Sequence, residues 1–172
     1  MLNFGPYTDD AYYRKYYELF GQYDGVTFRD HISYELFREL PNVRYAPDVV
    51  FNYDTASTSD LKTKKQVLFS IIELENRNGK FPICQHKEVY ETFILKMAKE
   101  AINQGYHVKF LAFCEAQGDL HVVKKIIDGI PVQYRNQVSY DSYGMDVNKC
   151  IDYFRESEII IGTRFHSIIL GW

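Results

Sequence analysis

Short apolar runs separated by helical segments of roughly 10 to 19 residues constrain this chain more than any other feature. The run at 67–72 is short enough to be a strand buried on both faces, as a parallel sheet requires. A helix is predicted over 86–104, where Val89, Tyr90, Phe93, Ile94, Met97, Ala98 and Ala101 recur at i, i+3 and i+4. Gly105 marks its stop. A strand at 108–113 follows, then a helix over 119–127 built on Val122, Val123, Ile126 and Ile127, and a short strand at 138–140. Asp146 caps a further helix through Ile151 and Phe154, and a strand at 158–161 runs directly into the apolar segment that ends at Trp172. Strands joined by such crossovers predict an α/β chain with a doubly wound parallel sheet covered on both faces.

The amino-terminal part repeats the alternation on a smaller scale. Tyr13, Tyr16, Tyr17 and Phe20 give a helix over 9–20, with Asp9 or Asp10 as cap and Gly21 as stop. A strand at 26–28 precedes Asp30, which caps a helix expected to carry Ile32, Leu36 and Leu40 along one side. Pro41 and Asn42 end that helix, and a strand at 43–46 leads through Pro47 and Asp48 into the apolar residues 49–51, completing an αβαβ run. The following stretch, Asp-Thr-Ala-Ser-Thr-Ser-Asp at 54–60, has nothing to bury and reads as a linker. The expected division is 1–53, a linker at 54–62, and 63–172.

Composition narrows the function classes. At 172 residues the chain is one domain or parts of two, able to bury about 70% of its unfolded surface without a disulfide or metal staple. The 23 acidic and 20 basic residues leave a formal charge of −3 with no long run of either sign, which excludes a nucleic-acid coat. Cys84, Cys114 and Cys150 are too few and too scattered for a disulfide framework or a CxxC knuckle, and point to the cytoplasm. His86, His107 and His121 have no metal-ligand spacing, so no metal or cofactor is assigned. No run approaches the ~20 apolar residues of a membrane span, and residues 1–20 do not form a signal peptide, so a soluble protein is expected. The 15 Tyr, 12 Phe and 1 Trp permit a sugar ligand without indicating one.

In doubly wound sheets ligands sit beyond the carboxyl ends of the strands, so the loops after Phe28, Ile72, Phe113 and Ile161 hold the chemistry. The last is the richest. In Gly162-Thr163-Arg164-Phe165-His166-Ser167, Gly162 allows close approach, Thr163 is placed to cap the next helix, and that helix start favours an anion. Arg164 adds a planar fork for carboxylate or phosphate, and His166 a proton near neutral pH. A bland alternative pairs Arg164 with an acidic neighbour and tucks His166 into the core. The location at a strand's carboxyl edge favours the functional reading. Arg29, Asp30 and Ser33 read as structural, with Asp30 a cap. The loop 73–80, with Arg77, divides evenly between ligand-facing and solvated roles. Glu115 and Asp119 are expected to be solvated, Asp119 as a helix cap.

Four motifs in order carry a resemblance: Gly5-Pro6-Tyr7; Val26-Thr27-Phe28-Arg29-Asp30 with Ser33; Ala46-Pro47-Asp48; and Ile160-Ile161-Gly162-Thr163-Arg164-Phe165-His166-Ser167. Together they resemble the polysaccharide pyruvyl transferase family. The resemblance implies two Rossmann-like domains forming a GT-B-like cleft, and transfer of a pyruvyl group from phosphoenolpyruvate to two hydroxyls of a sugar in bacterial exopolysaccharide biosynthesis. The implied partners are a phosphoenolpyruvate donor and a saccharide or lipid-linked oligosaccharide acceptor, with no nucleic acid and no integral membrane segment.

By the same resemblance Arg164 binds the donor's phosphate or carboxylate, with Gly162, Thr163 and Phe165 in the same substrate-binding stretch. His166 stabilises the departing phosphate or protonates the methylene carbon. Phe165 stands where the family usually has Leu and keeps the position apolar; Arg77 is a weaker binding candidate near the end of the strand at 67–72. Two full domains need about twice this length, so an incomplete member is expected, lacking part of each domain. Two other readings share these residues: a GT-B glycosyltransferase using a nucleotide sugar, for which no acidic ribose-binding residue stands in a convincing place, and a non-catalytic truncated remnant.

Overall fold

The structure, a computed structural model, describes residues 3–5, 9–53, 63–79 and 82–171. It divides into two compact units, 1–55 and 56–172. The expected linker at 54–62 lies outside the described residues, as do Pro6 and Tyr7 of the first motif.

In the first unit, α1 (Asp10–Phe20) starts where the Asp9 carboxylate accepts the Tyr12 N–H at 2.6 Å. Strands β1 (Val26–Phe28) and β2 (Val43–Tyr45) are parallel, with Val26 opposite Val43 and Phe28 opposite Tyr45. Between them runs α2 (His31–Phe37). Phe20, Val26, Phe28, Phe37 and Val43 form the core, with Phe28 and Phe37 stacked at 5.4 Å.

Of the stripe expected after Asp30, Leu36 and Leu40 pack against this core and Ile32 does not. Asp30 accepts the Ser33 N–H at 2.7 Å, and this cap turns Ser33 and Phe37, one helical turn apart, toward the sheet. Ile32, about 100° further round, is 77% exposed, and the helix stops before Leu40. Ser33 buries its hydroxyl by accepting the Phe4 N–H at 2.7 Å, so a polar residue holds the place an apolar pattern would assign elsewhere. Residues Val49–Asn52 form one turn of 3-10 helix, capped by Asp48, with Val49 and Phe51 exposed.

The second unit alternates strand and helix throughout: β3 (Lys64–Ser70), α3 (Lys87–Asn103), β4 (His107–Ala112), α4 (Asp119–Asp128), β5 (Val138–Ser142), α5 (Val147–Glu156), β6 (Ser157–Gly162) and α6 (Phe165–Leu170). Its four strands are all parallel, in the order β5-β4-β3-β6. Side chains alternate across the sheet. Val67, Phe69, Val108 and Phe110 face α3 and α4, while Leu68 and Leu111 face Cys150 and Phe154 of α5 and Leu170 of α6. Helices therefore cover both faces, the doubly wound Rossmann-like arrangement.

Residues 67–70 of β3 are buried on both faces, as its central position demands. Most of the stripe predicted on α3 meets the core: Ile94 and Ala98 are buried with Ile102, and Tyr90, Met97 and Ala101 pack against the same cluster, whereas Val89 and Phe93 are 73% and 55% exposed. A helix lying on a sheet buries the stripe that faces it, and Val89 and Phe93 fall at the outer margin of that stripe. Gly105 leaves α3 at φ +78°, the left-handed conformation expected at a helix stop.

Candidate functional site

The chain builds β4 and β5 outward on one side of β3 and then returns to add β6 on the other side. The carboxyl ends of β3 and β6 thus flank the point where strand order reverses, the position at which doubly wound sheets as a class bind their ligands. Thr163 stitches the two ends together. Its N–H and its hydroxyl both donate to the Ser70 carbonyl, at 2.9 and 3.0 Å. With that proton committed, the Tyr90 hydroxyl donates to Thr163 Oγ1 at 3.0 Å and in turn accepts the Ile72 N–H at 3.1 Å. Burial raises the Tyr90 pKa, which keeps this relay neutral.

Thr163 was expected to cap α6, and it does not. Its hydroxyl is spent on Ser70, Arg164 occupies the N-cap position without a side-chain cap bond, and Ser167 Oγ donates back to the Arg164 carbonyl at 2.7 Å. The position of Gly162 is sterically demanded: a Cβ there would stand 2.8 Å from Ser167 Oγ. The six-residue α6 is short, so its dipole adds little to the electrostatics of this corner.

Arg164 lies against a fully buried carboxylate. Its Nε and Nη2 donate to the two oxygens of Asp119 at 2.8 and 2.5 Å, a bidentate pair. The same carboxylate accepts the Glu73 N–H at 3.2 Å and the Cys114 N–H at 2.9 Å. Asp119 therefore ties together the loops after β3, β4 and β6. The expectation that Asp119 is a solvated cap is overturned: Gly118 holds the N-cap position of α4, and the Asp119 side chain points into the protein with 0% exposure.

Gln117, two residues earlier, reaches both arginines of the site. Its Oε1 accepts from Arg164 Nη1 at 2.5 Å and from Arg77 Nη2 at 2.6 Å. Arg77 also donates from Nε to the Glu73 carbonyl at 3.3 Å. Glu73 is buried, and its carboxylate folds the loop by accepting the Glu75 N–H and, at 3.2 Å, the Asn76 N–H. Gly118, at φ +85°, has the Glu73 stem against it: an added Cβ would lie 2.9 Å from Cγ. Glu73, Asn76, Arg77, Gln117 and Gly118 are among the residues that line an open cleft of about 560 Å³ between the loops after β3 and β4.

Of the predicted residues, Arg77 and Arg164 are drawn onto one oxygen atom, and Gly162 and Thr163 hold the strand ends that carry them. Phe165 and His166 lie on the exposed first turn of α6, ring edge to ring face at 5.3 Å, so His166 is not a core histidine. The bland alternative for Arg164 is realised in part, since its acidic partner is Asp119. Three of the five Arg164 N–H groups donate to Asp119 and Gln117, which leaves two donors for an anion. Sequence reasoning missed Asp119, Gln117, Tyr90 and Glu73 as site-builders. The rule that led to Arg164, inspection of strand carboxyl ends, applies equally to Asp119 and Gln117 after β4.

Arg29 in the first unit pairs with the buried Asp48 carboxylate at 2.5 Å and with Asn3 at 2.5 Å, beside the Asp30 cap, in line with a structural role.

A family model described as polysaccharide pyruvyl transferase matches residues 2–171, nearly the whole chain. The chain belongs to the polysaccharide pyruvyl transferase family. No curated protein and no solved structure matches it. Membership points to a transferase and implies a saccharide acceptor. Among the described residues no helix is long and apolar enough to cross a membrane.

Proposed function

We propose that this chain binds phosphoenolpyruvate beyond the carboxyl ends of β3 and β6 and transfers its pyruvyl group to a pair of hydroxyls on a saccharide. The observation that carries this reading is the convergence of Arg77 and Arg164, from two different loops, on the single oxygen of Gln117. Two guanidinia gathered at a switch point form a recognition element for a small molecule with both a carboxylate and a phosphate. The family match supplies the reaction class.

In this mechanism Arg164 and Arg77 bind the donor's anionic groups, and Asp119 keeps the Arg164 fork in one orientation. His166 protonates the methylene carbon of the enol phosphate, which becomes a methyl group while positive charge develops on the adjacent carbon. The first sugar hydroxyl adds there and gives its proton back to His166. Phosphate then leaves with the electron pair of its carbon–oxygen bond, and the second hydroxyl closes the cyclic ketal while its proton passes to phosphate. Donor and diol are consumed, and ketal and inorganic phosphate are formed.

Calorimetric titration with phosphoenolpyruvate, run beside uridine diphosphate, tests the donor. Selective binding of phosphoenolpyruvate that is lost in Arg77→Ala and weakened in Arg164→Lys is the expected result. Preference for uridine diphosphate would replace the reading with nucleotide-sugar transfer, and binding of neither would remove the donor site from this chain. His166→Ala should retain phosphoenolpyruvate binding while phosphate release falls by about 10²–10⁴-fold.

A further inference from the structure

The atom on which the two arginines meet belongs to a neutral side chain. Bonds of 2.6 and 2.5 Å to Gln117 Oε1 put Arg77 Nη2 and Arg164 Nη1 about 5 Å apart or closer. Around this point the fixing groups are carboxylates: Asp119 on Arg164, and Glu73 on the amides of its own loop. Only the position shared by both guanidinia is an amide. An amide oxygen satisfies N–H donors without answering their charge, so a full anion placed there binds more strongly than the group it displaces.

Gln117 is also held at a fixed distance from the arginines. It ends a single 3-10 turn, Glu115–Gln117, whose exit through Gly118 is locked by the positive φ and the contact with Glu73. Its side chain therefore reaches the guanidinia from a rigid base, while its carboxamide can rotate away without disturbing the turn.

We propose that Gln117 is a positioning and specificity-determining residue, which holds Arg77 and Arg164 at the spacing of one anionic oxygen and yields them to a carboxylate or phosphate oxygen of the substrate. Neutrality at this position is essential. A glutamate would form two ion pairs with the same guanidinia and fill the site from within. The inference rests on the donor reading for the identity of the anion, whereas the anion site itself follows from the two arginines.

Gln117→Glu tests it, with inorganic phosphate and phosphoenolpyruvate as probes and Gln104→Glu, at the far end of α3, as the charge control. The expected result is affinity for both anions weakened by at least tenfold in Gln117→Glu and unchanged in Gln104→Glu. KM for phosphoenolpyruvate should rise in step while kcat stays within twofold. Thermal stability of Gln117→Glu should be equal to or above that of the parent, since new ion pairs form; a merely structural role would lower stability and affinity together. Gln117→Leu, which cannot hold the guanidinia, should weaken binding by several-fold. Affinity in Gln117→Glu within twofold of the parent overturns the proposal and leaves the donor reading standing. A parent that binds phosphate but prefers no phosphoenolpyruvate overturns the donor reading, and the phosphate comparison alone then decides the role of Gln117. A parent that binds neither anion overturns both.

Discussion

Replacing Asp119 by Asn removes one negative charge from the centre of the second unit and nothing else in volume. The carboxylate now accepts from Arg164 Nε and Nη2, Glu73 N–H and Cys114 N–H. Carboxamide nitrogen in place of either oxygen sets N–H donors against N–H donors, and Arg164, only 17% exposed, loses its counter-charge. Breaking a buried ion pair from one side costs about 3–5 kcal/mol. For a unit of this size each kcal/mol lowers Tm by about 3–5 °C, so Asp119→Asn should melt roughly 10–20 °C below the parent. Thermal unfolding followed by circular dichroism measures this directly. A double variant, Asp119→Leu with Arg164→Met, removes both charges and should lose less than the two single variants combined, by about 1.5 kcal/mol or more. A Tm drop of under about 2 °C for Asp119→Asn, or strict additivity in the double variant, would refute the view that this pair joins the three loops.

Other perturbations separate the two units and the elements around the site. Phe37→Ala empties the centre of the aromatic cluster in the first unit and should destabilise it by about 3–5 kcal/mol, read as faster amide exchange in β1 and β2. Tyr90→Phe leaves the Ile72 N–H without its acceptor and Thr163 without a donor, at about 1–3 kcal/mol by urea unfolding. Although burial opposes it, hydrogen bonds from Lys149 and Tyr153 hold the Asp141 carboxyl at about 2. Its folded pKa is depressed, so the stabilisation is complete above the ordinary carboxylate range and disappears as pH falls through about 2; Lys149→Ala should shift that loss to higher pH in an acid titration. Burial pushes the Cys150 thiol up to about 11, so thiol reagents at pH 8 should modify Cys84 and Cys114 well before Cys150.

Much of the fold was legible because its signals are local. The Asp9, Asp30 and Asp146 caps act within three residues, the strand and helix periods within four, and the stop at Gly105 on a single dihedral angle. The same locality explains the misreadings. Which side of α2 or α3 is buried depends on how the helix sits on its sheet, so Ile32, Val89 and Phe93, apolar and correctly spaced, face outward.

Alternation of strands and helices and a parallel doubly wound sheet follow from the sequence alone, as does the placement of Arg164 and His166 just beyond the carboxyl end of a strand. Tertiary structure decided the rest of the site. Asp119 and Arg164 are 45 residues apart, and Gln117 and Arg77 are 40 apart. Their meeting requires the strand order β5-β4-β3-β6, which sets the ends of β3, β4 and β6 side by side. No short-range preference encodes that order. It arises when both faces of β3 must be buried at once, and the charges brought together at the strand ends are then selected by whether each buried carboxylate finds its donors.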